Sequence, residues 1–499
     1  MSTVLSAKLI HSPAVSSTLF VTASGASLVS NPSSVPPASL MATSPPKTKS
    51  TSPALSFKKP NWSRQMSITV PLYRTALDTT KTSVKYTRSL LSLVPKGVPE
   101  SIELTSVRLP RRQDIVLDNM NPKEAEGIVG AEWVVHSKSV NAEWKRLRGL
   151  SKGSSSKLSL DSPAPDEKII LYFHGGAYFM GSPSTTRNLT ALFSEHTGCR
   201  VLSVGYRLAP ENPFPLPLHD AISAYASLVD PPEGSGMPKF KPEQIILAGD
   251  SAGGGLATAL ALWIRDNGLA RGWKQPAGIV AFAPWLDLTH SQPSFHLNTL
   301  DYIPPHVADA SYITKGRSHY YTKHDSENMH PYVSPLFASD NAWDRNSRLP
   351  PTLIQLGSME RLRDEGLMFA AASFRHSPMR VELYENMVHI FQTFAAKGEE
   401  VPTAAFRRVG AFVRALAPGG SAGMRDAETA PGFFHVVEGG VVGEIGRDGA
   451  LAIVSEARAE LDALKQPERQ PAKVEASQLL KRLVAETNLG STRLEPILV

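Results

Sequence analysis

The sequence predicts an α/β fold, a mostly parallel central sheet with helices on both faces. Two observations carry this. Strand-like runs recur at Ala131–His136, Lys168–Phe173, Arg200–Tyr206, Gln244–Ala248, Gly278–Ala283, Thr352–Leu356 and Arg380–Tyr384. Helical spacing lies between or after them. Leu256, Leu260, Trp263 and Ile264 share one face, as do Phe406, Val409, Phe412 and Val413 before the breaker Pro418-Gly419-Gly420. Strands alternating with helices imply a parallel sheet covered on both sides.

The 499 residues hold one domain of about 250–300 residues with extensions, or two to three smaller domains. Residues 1–66 are dominated by Ser, Thr, Pro and Ala without period and read as disordered. Residues 67–127 read as cap-like, with a short helix around Leu90, Leu91 and Val94. Residues 128–417 form the α/β domain. Its long connection at about 290–345, rich in His, Tyr and Pro, reads as a cap or lid insertion. Residues 418–499 are a partly helical extension. Val454, Ala457, Leu461 and Leu464 place an amphipathic helix at 449–465, and a second is expected from Val474 to Ala485.

The net charge of +6 is local. Residues 1–77 carry no Asp or Glu but seven cations: Lys8, Lys47, Lys49, Lys58, Lys59, Arg64 and Arg74. Setting these aside leaves 45 of the 52 Lys and Arg against 46 Asp and Glu. A near-neutral body argues against nucleic-acid binding. No apolar run reaches the ~18 residues of a transmembrane helix. The single cysteine, Cys199, cannot form an internal bridge, which favours a reducing compartment. The expected location is cytoplasmic. A mitochondrial transit segment is the alternative reading of the Ser-rich, acid-free N-terminus.

Ser251 stands in a glycine-rich turn between an apolar strand and an apolar helix. A phosphate loop would want Lys then Ser or Thr after its glycines, but Leu256 and Ala257 follow Gly255. A dinucleotide fingerprint fails on spacing at Gly249, Ser251 and Gly254. Gly249-Asp250-Ser251-Ala252-Gly253 fits G-x-S-x-G, in which small neighbours let strand and helix close on a sharp turn that presents the hydroxyl. Such a serine needs a base and an orienting acid, in the order Ser, acid, His. Glu360 sits three residues past Gly357 at a strand end, with Asp364 and Glu365 as rivals. His389 follows the last predicted strand. Backbone donors for an oxyanion come from the turn His174-Gly175-Gly176-Ala177 and from Ala252 at a helix N-terminus. Tyr178, Phe179 and Tyr206 are equally placed for packing or for lining a pocket.

Together these segments resemble the hormone-sensitive-lipase-like family of α/β-hydrolases. The marks are HGGAY, YRLAPENPFP at Tyr206–Pro215, GDSAGG at Gly249–Gly254, PWLDLT, YVSPLF, GSMERLRDEG and VHIF. The resemblance implies an α/β-hydrolase fold with a helical cap. It also implies a serine carboxylester hydrolase acting on small or medium acyl esters, with no metal and no cofactor. Catalytic Ser251, Glu360 and His389 and oxyanion donors Gly175, Gly176 and Ala252 follow from it, with His174 holding the loop. Two departures stand out: Ala177 replaces the family's third glycine, and Glu360 its usual Asp. An amidase or deacetylase of small molecules would share the same parts. A receptor on this fold usually lacks the base. The expected partner is a small-molecule ester, and a homodimer is one assembly state the sequence allows.

Overall fold

The runs IILYF at Ile169–Phe173 and GIVAF at Gly278–Phe282 carry no charged residue because helices cover both faces of the strands they form. This is visible in the computed structural model, which describes residues 62–78, 84–85, 88–89, 100–140, 163–303, 320–416, 429–437 and 442–464. All of them lie in one unit, Ala54–Val499. Most of segment 1–66, the helix expected near Leu90–Val94 and the one expected at 474–485 lie outside the described residues.

In chain order the elements begin with α1 (Arg64–Asp78), β1 (Ile102–Pro110), β2 (Ile128–His136) and β3 (Ile169–Phe173). Then come α2 (Arg187–Thr197), β4 (Arg200–Gly205), α3 (Leu216–Val229), β5 (Ile245–Asp250) and α4 (Ala252–Asn267). They continue with β6 (Gly278–Phe282), α5 (Pro293–Leu297), β7 (Thr352–Gly357), α6 (Arg363–Met368) and β8 (Met379–Tyr384). The last are α7 (Glu400–Ala415), β9 (Gly432–Val436), β10 (Val442–Glu444) and α8 (Gly446–Leu464). The strands form one ten-stranded sheet, ordered β1-β2-β4-β3-β5-β6-β7-β8-β9-β10. β1, β2 and β4 pair antiparallel, β4 through β9 pair parallel, and β10 is antiparallel to β9.

Successive strand residues point to opposite faces. Leu171 and Leu247 join Leu218, Leu256 and Leu260 beneath α3 and α4. Ile170 and Ile246 join Phe193, Phe406 and Val409 beneath α2 and α7. α4 is buried along its length from Ala252 to Ile264, whereas α7 is amphipathic: Phe406, Val409, Phe412 and Val413 are buried while Arg407 and Arg414 reach solvent.

Three features differ from the sequence reading. β1 occupies segment 67–127, so the described part of that segment is not wholly helical. Its sequence, IELTSVRLP, is half-buried and polar at the sheet edge, which hides any apolar run. α1 begins at Arg64, inside the segment read as disordered. The C-terminal extension is part of the sheet: Gly432 aligns with Arg380 and Val436 with Tyr384. The expected helix at 449–465 appears as α8, with Ala450, Val454, Ala457 and Leu461 turned inward. Among the described residues no helix is long and apolar enough to cross a membrane.

Phe433 of β9 is buried in the main core. Phe433→Ala should therefore cost about 3 kcal/mol, read as a lower urea midpoint at unchanged m. An unchanged midpoint would mean that the extension is a loose appendage.

Candidate active site

Ser251 joins β5 to α4 with φ 52° and ψ −122°. A non-glycine residue at positive φ is strained by about 1–3 kcal/mol and must be held by its surroundings. Here the Ser251 N–H donates to the Phe282 carbonyl at 2.9 Å, and the Ser251 carbonyl accepts from Trp285 N–H at 2.9 Å and Gly255 N–H at 3.0 Å. A Cβ at Gly253 would collide with the Phe173 carbonyl, so only glycine lets α4 pack this close to β3. The turn delivers Ser251 to a cavity that His389 also lines.

After β3, the loop His174–Gly181 is held from two sides. The His174 ring stacks on Tyr206 at 4.4 Å, and its Nδ1 lies 2.7 Å from the Gly175 carbonyl. Burial lowers the His174 pKa to about 4, so this ring is neutral. Tyr206 donates its hydroxyl proton to the His174 carbonyl at 2.6 Å. Asp250, directly before the serine, accepts from the Tyr172 hydroxyl and from Gly175 N–H, the latter at 2.9 Å. Burial raises this carboxyl to about 6.

That last bond corrects the expectation for Gly175. Its amide is committed to Asp250 and is not open to an oxyanion. Gly176, at φ 113°, and Ala177, at φ 49°, turn the loop into the cavity instead. Neither amide has an acceptor among the described residues. Ala252 N–H opens α4, where first-turn amides have no intrahelical acceptor.

The acid turn and the His loop leave neighbouring parallel strands, β7 and β8. His389 Nδ1 lies 3.2 Å from Glu360 Oε2, and both side chains are buried. Burial pushes the imidazole pKa down. Burial, followed by the nearby Asp301 carboxylate, pushes Glu360 up. The rival acids are engaged elsewhere. Asp364 accepts from Arg363 Nε at 2.7 Å and from Ser294 N–H at 2.8 Å. Glu365 accepts Leu286 N–H at 2.6 Å. Asp301, which sequence reasoning did not single out, accepts the backbone N–H groups of both Arg361 and His389. Its only sequence signal is an acidic residue in the insertion.

The cavity holds about 130 Å³. Phe179, Trp285, Phe295, Tyr302, Ile303 and Leu362 give it a largely apolar wall. Of the three aromatic residues expected there, only Phe179 contributes. Tyr178 is buried and stacks on Tyr321 at 3.6 Å, and Tyr206 is spent on His174. Tyr73 of α1 meets the Tyr302 ring edge-on at 5.9 Å, so the N-terminal helix backs the cavity wall.

Comparison with known proteins agrees with this architecture. The sequence profile of a family described by its α/β-hydrolase fold matches residues 170–393. An acetyl-hydrolase of Streptomyces hygroscopicus is 33% identical over 230 residues, covering 46% of this chain and 70% of that protein. An esterase of Acinetobacter venetianus is 34% identical over 254 residues, 50% of this chain and 75% of that one. A solved esterase of the bacterial hormone-sensitive lipase family superposes with TM-score 0.51 at 28% identity, covering 71% of this chain and 98% of that one. The chain belongs to the hormone-sensitive-lipase-like family of α/β-hydrolases. It is a carboxylesterase-like hydrolase.

Glu360 and Asp364 can be told apart by mutation. Glu360→Gln should lower kcat on an activated ester by about 10⁴-fold, the scale seen when a triad acid loses its charge. Asp364→Asn should lower the melting temperature while kcat of the folded variant stays within about threefold, since its partners are Arg363 and Ser294.

Proposed function

We propose that the protein hydrolyses short-chain carboxylic esters through an acyl-enzyme on Ser251. Ser251 Oγ attacks the ester carbonyl carbon while His389 Nε2 takes the hydroxyl proton. Glu360, as carboxylate, accepts from Nδ1–H and stabilises the imidazolium. The amides of Gly176, Ala177 and Ala252 donate to the developing oxyanion. The C–O bond to the alcohol breaks, and His389 protonates the leaving oxygen. Water, deprotonated by the same imidazole, then attacks the acyl carbonyl and frees Ser251 with the acid product. No step calls for a metal or cofactor.

The observation that carries this reading is one small cavity lined by Ser251, His389 and the loop of Gly176 and Ala177. That neither amide has an acceptor among the described residues supports their role as oxyanion donors. The apolar wall supports an acyl group over a charged one. A dry apolar cavity of about 150 Å³ accommodates a benzene-sized group, so 130 Å³ suits an acyl chain of about two to four carbons.

The test is a series of p-nitrophenyl esters from acetate to decanoate. kcat/KM should peak at acetate to butyrate and fall by at least about tenfold by octanoate, as overfilling a packed pocket costs 1–3 kcal/mol. Ser251→Ala should lose at least about 10⁴-fold in kcat without loss of fold. A flat chain-length profile contradicts the pocket assignment, and full activity of Ser251→Ala contradicts the mechanism.

A further inference from the structure

The insertion after β6 folds back over the site at residues 295–303, and Asp301 is its fully buried member. Each oxygen of this carboxylate holds a different part of the catalytic apparatus. Oδ2 accepts N–H of Arg361, the residue after Glu360, at 2.8 Å. Oδ1 accepts N–H of His389 at 3.1 Å and of Tyr302 at 2.9 Å. The acid turn and the base loop come from different strands, and Asp301 bridges their backbones from a third segment.

The same segment is stitched to the acid turn at further points. Asn298 Nδ2 donates to the Glu360 carbonyl at 2.6 Å. Arg361 Nε donates to the Ile303 carbonyl at 2.9 Å, and its Nη1 to the Phe295 carbonyl. Phe295, Tyr302 and Ile303 are also cavity wall, and the Tyr302 ring lies 5.8 Å from the His389 ring. The wall that would touch an acyl chain and the turn that carries Glu360 are therefore one bonded unit.

A buried carboxylate is costly to desolvate, and a merely space-filling position would be met by an apolar side chain. A carboxylate has what an apolar or amide group lacks: acceptors on both oxygens and no donor, with bonds about twice as strong as neutral ones. We propose that Asp301 is a positioning residue that sets the register of Glu360 against His389 by holding both backbones at once. The inference rests on the esterase reading above.

The closest isostere separates this role from packing. In Asp301→Asn, one acceptor becomes an NH2 group facing either Arg361 N–H or the His389 and Tyr302 amides. With p-nitrophenyl butyrate, kcat should fall about 10²-fold, the scale of an ångström-sized misplacement, while KM stays within about threefold. kcat close to wild type, or a loss confined to KM, overturns the proposal. If the variant does not fold, native-state amide hydrogen exchange on the wild-type chain decides. Peptides covering Arg361 and His389 should exchange as slowly as the core strands β5 and β6, and fast exchange at either overturns it. Ser251→Ala is assayed alongside. If it retains activity, the esterase reading has failed; if it is dead while Asp301→Asn is unimpaired, only the role of Asp301 has failed.

Discussion

The site depends on one backbone turn, Ser251 held at φ 52°. A serine does not take that conformation freely. It does so here because its N–H is bonded to the last residue of β6 and its carbonyl to the chain just beyond, and because Gly253 lets α4 approach β3 closely. Both conditions come from the parallel sheet. Neighbouring strands β3, β5 and β6 end at one edge, so the loops that follow them meet there. The strain of about 1–3 kcal/mol is small against the cohesion of a core built from both faces of the sheet.

Two buried carboxylates then arrange what surrounds the serine. Asp250 draws in the loop after β3 through Gly175 N–H, which turns the next two amides toward the cavity. Asp301 holds the loops after β7 and β8 through Arg361 and His389. Burial raises each carboxyl to about 6. Neither side chain is itself among the residues that line the cavity. Each works on backbone groups, so the loops that carry Gly176, Glu360 and His389 are held by main-chain hydrogen bonds.

Much of this was legible in the sequence, and the pattern of what was not is physical. The seven strands read from apolar runs are buried central strands, and all seven are present. β1 and β10 escaped because they are the edge strands of the sheet: β1 is half-polar, and β10 has three residues. Ser251 was legible because its turn is written in consecutive residues. The Glu360–His389 approach followed from each standing just past a strand end. The resemblance placed two donors on Gly175 and Gly176, and the commitment of the Gly175 amide to Asp250 was not legible because its partner lies 75 positions away. The donor turn already included Ala177; what was not legible is that this non-glycine residue stands at φ 49°, in backbone normally left to glycine. Tyr178 and Tyr206 could have faced either way, and burial under the loop decided it. Asp301 carries no local pattern at all, since its meaning lies wholly in long-range contacts.

The most direct measurement is a crystal structure of the protein inactivated by a short alkyl phosphonate, which mimics the tetrahedral intermediate. The account predicts phosphorus bonded to Ser251 Oγ, its oxygen within hydrogen-bond distance of the Gly176, Ala177 and Ala252 amides, and His389 Nε2 beside the ester oxygen. The alkyl chain should lie along Trp285 and Phe295. A phosphonyl oxygen turned away from those amides, or His389 displaced from the adduct with Glu360 bonded elsewhere, would contradict it.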